Sequence, residues 1–430
     1  MLNRLKNILF NKPISNENLI LLSEDLNGFE RERAIKQMRE KRDIAFLDAL
    51  LIRANDWVPQ VRNLAQEVIR ELMVEPNKKA FTENIEAIWQ LKKKGRCDHS
   101  QLVKDISNFV LQNVSQDELI SKVKSGHRTL ARVAYELLSH SLPAKDLVQL
   151  ALASKDILII RNLGLYLNQL EGYEFETVFK STIDSPNAYL RCIVLQIGIK
   201  KIPDQVKTCC EDILIDNSAD IRLVSINFFK IHNFEIRKFY LDQLQKPSKT
   251  KIKANTILGI GQAGYADCAD VIRPYLSNSF ATIREAAFRA LYAFNPKDSD
   301  VRKSVLDKSP KVSKTALFYI RKNEIKVSFE ELTQWFEVAP VHTIKGLLRL
   351  ARQSGKWSEL ILILKSFRRD PEVYSLALND WLRVFNLHQQ LPTSEETTTL
   401  QGLRQVILED LNKDTLELLR FTLKPFGILV

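Results

Sequence analysis

Apolar residues recur three and four positions apart along almost the whole chain, the spacing of amphipathic helices. From Lys253, KANTILGI reads as one helix, GQAGYAD as a turn, and CADVIRPYLSN as a second apolar helix before the next polar turn. No clear alternating runs bounded by glycine turns occur, so strands are not expected. The predicted unit is a pair of short helices joined by short turns.

That unit repeats. NDWVPQVRNLAQEVI (Asn55–Ile69) reads as a polar turn, then Val61 and Arg62, then an apolar helix. DSPNAYLRCIVL from Asp184, DNSADIRLVSINF from Asp216, NSFATIREAAFRAL from Asn278 and DKSPKVSKTAL from Asp307 follow the same plan. The basic residue recurs at Arg132, Arg161, Arg191, Arg222, Lys253, Arg284, Lys314 and Lys345, at intervals of 29 to 31 residues. Arg33 and Arg62, 29 apart, extend the series toward the N-terminus; it blurs between Arg62 and Arg132. The turn RRDPEVYSLAL (368–378) continues it once more.

A hairpin of about 30 residues cannot bury its apolar face alone, but it can when stacked on its neighbours. The expectation is an all-α fold: an α-solenoid, or superhelix, of stacked antiparallel helical hairpins. Three regions are expected: an N-terminal cap with irregular repeats (1–125), regular repeats (126–385) and C-terminal capping helices (386–430). For the last, GLRQVILEDL and DTLELLRFTL read as two helices after the capped turn PTSEETTT. Ala286, Ala287 and Ala290 suit close helix approach within the stack.

The turn–V/I–R–x–x–A–x–x–A–L signature resembles HEAT repeats. The short unit, with ILGIGQAG ahead of the next helix, looks most like the HEAT-like repeats first described in phycobilin lyases. The resemblance spans about residues 20–385 and is clearest from 126 to 352. It implies the solenoid but says little of function, because such arrays serve as scaffolds, adaptors, transport receptors, lyase subunits and one class of DNA glycosylase. It also implies that the recurring base pairs with an acidic turn residue of the same or an adjacent repeat. The structural ladder expected here is Arg62, Arg191, Arg222 and Arg284 with Asp56, Asp184 and Asp216. Lys345 follows APVHTI, a turn with no acid, which leaves that base open to a partner.

Composition supports the helical reading. Glycine is only 13 of 430 residues, fewer than turn-rich all-β or doubly wound folds use. The net charge of +11 is concentrated: residues 301–369 hold fifteen Lys/Arg against six Asp/Glu, and 235–253 hold six against two. Such a patch can attract nucleic acid, an acidic protein or a membrane surface, or it can be a solvated helix face. Lys345, Arg349 and Arg352 share a helix face, as do Lys314 and Arg321 one repeat earlier. With Lys322, Lys356, Arg368 and Arg369 they form the candidate binding surface. Trp335, Trp357 and Trp381 lie nearby. They are read first as core, with base stacking or a protein hot spot as the alternative.

Gly259-Ile260-Gly261-Gln262-Ala263-Gly264 spells G-x-G-x-x-G, with Glu285 downstream. A dinucleotide site needs a strand before the glycines and a helix opening at them. Here a helix precedes them, and the glycines are read as its end. Cys209-Cys210 and Cys97-Asp98-His99 lack the ligand count of a zinc site. No cofactor or metal is expected, and no catalytic residue is assigned. Asp380, Trp381 and Arg383 supply the residue types of a glycosylase without any sign that they converge. An odd, scattered set of five cysteines, no signal-like leader and no apolar run long enough to span a bilayer point to the cytoplasm. The function expected is a non-catalytic scaffold or adaptor for a protein partner. The alternative is DNA or RNA binding through residues 301–369. Oligomeric state is left open.

Overall fold

In the computed structural model the described residues are 14–154, 156–294, 296–322, 325, 327–384, 391–403 and 413–428. Among them the regular structure is helical throughout, with α-helices and short 3-10 turns and no strand. Packing divides the chain into two units, 1–203 and 204–430.

Each unit is a stack of antiparallel helical hairpins, the α-solenoid arrangement. In the first, helices Gly28–Lys41, Pro59–Glu71, Ser100–Asn113 and Arg128–Leu138 pack side by side in one row. Asn16–Leu22, Leu47–Arg53, Gln116–Lys124 and Ala144–Ser154 belong to the opposing row. In the second unit, Ala219–Ile231, Thr250–Ala263, Ala281–Ala293, Pro310–Lys322 and Val341–Ser354 form one row, each touching the next. Ile236–Gln245, Asp298–Val305, Phe329–Val338 and Lys356–Ser366 back them.

The periodicity explains the rows. In Pro59–Glu71 the buried positions are Val61, Ala65, Val68 and Ile69, a single stripe. Pro59 opens that helix where its missing N–H costs nothing. Asn187 caps helix Ala188–Lys201, its side chain accepting from the N–H groups of Tyr189 and Leu190. The recurring basic residues all fall at the fourth or fifth residue of their helices, from Arg62 in Pro59–Glu71 to Lys345 in Val341–Ser354. The N-terminal register differs from expectation. Arg31, the fourth residue of Gly28–Lys41, occupies the repeat position, and Arg33 stands two residues further on.

The first two glycines of the G-x-G-x-x-G string have a packing reason and the third a conformational one, and helix Thr250–Ala263 runs through the first two rather than ending there. A Cβ on Gly259 would lie 2.4 Å from Tyr240 Cζ. One on Gly261 would lie 2.8 Å from Ala290 Cα, so Gly261 sets the close approach of two row helices. Gly264 closes the helix in the left-handed region, φ +82°.

Helix Lys413–Leu423 takes up most of DTLELLRFTL. Residues 404–411 of the other expected terminal helix lie outside the described residues, as does the end of FGILV at 429–430. Among the described residues no helix is long and apolar enough to cross a membrane.

Candidate functional site

The repeat arginines are bonded in two directions. Five of them turn one terminal nitrogen back to main-chain oxygens of the turn before their helix. Arg31 Nη1 donates to Asp25 O at 2.8 Å, Arg62 Nη1 to Asp56 O at 3.0 Å, Arg222 Nη1 to Asp216 O at 2.6 Å and Arg284 Nη1 to Asn278 O at 2.9 Å. Arg191 Nη1 does the same to Ser185 O. In Arg31, Arg132 and Arg284 the other nitrogens reach forward to a carboxylate in the next turn. Arg31 holds Asp56 (Nε–Oδ2 2.9 Å, Nη2–Oδ1 2.7 Å), Arg132 holds Asp156 (Nη2–Oδ2 2.9 Å), and Arg284 holds Asp307 (Nε–Oδ2 2.7 Å).

Of the two expected pairings, with an acid of the same or of an adjacent repeat, Asp56 takes the adjacent one. Asp56 gives its carboxylate to Arg31 and to Arg53, and offers Arg62 only its carbonyl. Asp216 likewise meets Arg222 through its carbonyl. Asp184 is exposed and makes no ion pair among the described residues. The carboxylates also serve locally: Asp56 Oδ1 accepts from Val58 N, and Asp156 Oδ1 from Leu158 N and Ile159 N. Burial works to raise the carboxyl of Asp56. The hydrogen bonds from Arg31 and Val58 outweigh it and leave the group below the ordinary aspartate value.

The nine candidate cations of the C-terminal region separate by what they touch. Lys314, Lys322, Lys345 and Arg349 are exposed, Arg321 is half-buried, and none of the five makes an ion pair among the described residues. Helices Pro310–Lys322 and Val341–Ser354, which carry them, are in contact. A Cβ on Gly346 would fall 2.3 Å from Leu317 Cδ1. Arg352 belongs elsewhere: its Nε donates to Glu359 Oε1 at 2.9 Å. Glu359 is buried, and burial raises its carboxyl above the ordinary value against the pull of Arg352. Arg369 donates to the carbonyls of Phe336 and Ala339 and lies over the Phe336 ring. Lys356 opens helix Lys356–Ser366 and is half-buried, and Arg368 is exposed.

The tryptophans are core. Trp335, Trp357 and Trp381 are 1%, 0% and 3% exposed, and Trp381 Nε1 donates to Lys356 O at 2.9 Å. Phe318, which the sequence did not single out, is half exposed on the same helix as Lys314. In the first unit Trp57 is 75% exposed beneath the Arg96 guanidinium, 3.8 Å from its ring centroid. Cys97 Sγ lies 3.5 Å from His99 Nε2, which also meets Asn55 Oδ1 at 3.1 Å. Among the described residues no group of three metal-ligating side chains assembles.

No family model matches the chain, and no curated protein matches it in sequence. Solved structures with some likeness include Kap121p, at 11% identity and TM-score 0.31, covering 97% of this chain and 48% of that one. The chain thus spans about half the length of Kap121p. An engineered protein is 12% identical with TM-score 0.20, covering 96% of this chain and 98% of its own. The structure of the Pds5–Scc1 complex gives 10% identity and TM-score 0.29, covering 96% and 83%. Likeness at these scores bears on neither fold nor function; the fold rests on the helices described above.

Proposed function

We propose that this chain is a non-catalytic helical-repeat scaffold that docks a protein partner through an acidic surface of that partner. The observation that carries the proposal is the set Lys314, Lys345 and Arg349, which are exposed on two helices in contact and make no ion pair among the described residues. Neighbouring cations are neutralised in place: Lys311 by Glu285, Lys365 by Glu337 and Arg237 by Asp267. Charge left open on a packed surface attracts an oppositely charged face and speeds encounter. Phe318, one turn from Lys314, adds an aromatic anchor of the kind that dominates protein interfaces.

Nucleic acid is the competing reading, and the burial of the tryptophans counts against it. Single-strand binding draws on aromatic faces that bases can stack on. Trp335, Trp357 and Trp381 offer none.

The test is a photo-crosslinking residue placed at Phe318 in cells, followed by purification of the captured protein and measurement of its Kd. The variant K314E/K345E/R349E should bind that protein at least about tenfold more weakly, equivalent to about 1.4 kcal/mol, with an unchanged melting temperature. Equal affinity overturns the assigned surface. Tight binding of short RNA or DNA at low salt, lost in the same variant and steeply weakened by added salt, overturns the protein reading.

A further inference from the structure

Arg222 departs from Arg31, Arg132 and Arg284, each of which holds a carboxylate. It is 2% exposed, yet it makes no ion pair among the described residues. The sequence gives the reason. The next turn reads Lys246-Pro247-Ser248-Lys249, with proline and lysines where other repeats place aspartate. Nε donates instead to the neutral Gln262 Oε1 at 2.7 Å, and Nη1 to Asp216 O at 2.6 Å. Nη2 has no hydrogen-bond partner among the described residues. A second guanidinium stands nearby. Arg289, half-buried on helix Ala281–Ala293, also makes no ion pair among the described residues. Both line a groove of about 200 Å³ walled by Leu258, Gly261 and Ala290.

A buried guanidinium without a carboxylate is costly, and a second cation beside it adds to the cost. Burial pushes Arg222 below its ordinary value. The charge of Arg289 pushes the same way, while Tyr240, more strongly than Arg289, and Asp216, less so, oppose the shift without reversing it. The groove is thus lined by two guanidinium groups, neither in an ion pair among the described residues, and by otherwise neutral side chains. Planar guanidinium groups match a carboxylate by paired N–H···O bonds. The small apolar wall suits the methylenes of a short side chain.

We infer that this groove is a carboxylate subsite that takes one aspartate or glutamate side chain of the docked protein, between Arg222 and Arg289. The inference deepens the proposed docking function and rests on it for the source of the carboxylate. It uses residues distinct from Lys314, Lys345 and Arg349.

The experiment follows the arginine Nε–H resonances of the full chain during titration with sodium acetate, with sodium chloride at matched ionic strength as control. The Arg222 signal should shift saturably with acetate and not with chloride, and the shift should vanish in Arg289→Met. Gln262→Glu should place an internal carboxylate on Arg222, raise the melting temperature and abolish the response. This second variant keeps the test valid if Arg222 itself cannot be replaced without unfolding. No acetate response overturns the subsite, and saturation by inorganic phosphate ahead of acetate overturns the carboxylate assignment.

The source is tested with a fluorescent all-glutamate decapeptide against free glutarate. Tighter binding of the peptide, weakened at least about tenfold by Arg289→Met, supports a partner side chain; tighter binding of glutarate overturns it. The two readings fail separately. K314E/K345E/R349E leaves the acetate shift intact if only the docking surface is wrong. Absence of the shift discards the groove while that variant still reports on docking.

Discussion

Arg284 and Asp307, 23 residues apart, are joined by two hydrogen bonds, Nε to Oδ2 at 2.7 Å and Nη2 to Oδ1 at 2.8 Å. Both side chains are nearly excluded from water, at 6% and 7% exposure. The remaining nitrogen of Arg284 is satisfied by the carbonyls of Asn278 and Ser279. One guanidinium thus ties two successive turns of the stack together. Removing either partner strands the other as a buried charge, which typically costs about 3–5 kcal/mol. Arg284→Met and Asp307→Asn should each lower the urea midpoint strongly. The double variant should cost clearly less than the two added together, because both singles break one bond pair. Additive losses in that cycle would show that the two residues act independently.

Glycine substitutions separate packing from conformational strain in the same helix. Gly261→Ala drives a methyl to 2.8 Å from the Ala290 Cα, a backbone atom that moves only with its helix. Overpacking of that kind costs about 1–3 kcal/mol. Gly264→Ala meets open space but must hold φ near +82°, a penalty of about 1 kcal/mol. Thermal denaturation should order the three proteins as wild type, Gly264→Ala, then Gly261→Ala. The reverse order would place the close helix contact elsewhere.

The repeat period was legible because each hairpin buries its stripe against the next, which forces one spacing on the whole chain. The helices and the place of the basic residue in each followed from it. The direction of pairing was not legible, since a linear string shows Asp56 six residues before Arg62 and says nothing of Arg31 reaching 25 residues forward. Register slipped by two at Arg33 because two arginines flank Glu32 there, and only packing selects Arg31. Within the basic region, residue type could not separate Lys345, which is exposed, from Arg369, which is bonded to carbonyls of the preceding hairpin. The Arg222 groove did leave a trace in the sequence. A turn lacking its aspartate after a buried arginine was visible, but its meaning depended on knowing that the acid belongs to the turn ahead.

His99 supplies the pH prediction. Burial lowers its pKa from the ordinary value of 6.5, the charge of Arg62 lowers it further, and Asp98 opposes both. The folded protein therefore holds the ring neutral where the unfolded chain already takes up a proton. Stability from this group is present above the unfolded value and is lost as pH falls through about 6.5 and below. The unfolding free energy of the wild type should decline between neutral and mildly acidic pH, and His99→Gln should flatten that decline. An unchanged slope in the variant would assign the acid sensitivity to other groups.

Arg369 and Lys345 carry the same charge, and their replacement should divide them by role. The Arg369 guanidinium donates to Phe336 O and Ala339 O, at the end of helix Phe329–Val338, where carbonyls have no partner within the helix. Its ring-face contact with Phe336 fixes the same geometry. Hydrogen bonds from a charged donor to otherwise unmatched carbonyls are worth about 1.5–3 kcal/mol. Arg369→Met keeps the aliphatic stem and removes the donors, so its melting temperature should fall by several degrees. Lys345 is exposed, with no ion pair among the described residues. Lys345→Glu should therefore leave the melting temperature within the small range of ordinary surface changes, about 0.5 kcal/mol, while weakening the docked partner. If Lys345→Glu destabilised the protein as much as Arg369→Met, Lys345 would be a structural residue, and the docking surface would lose one of the three cations that define it.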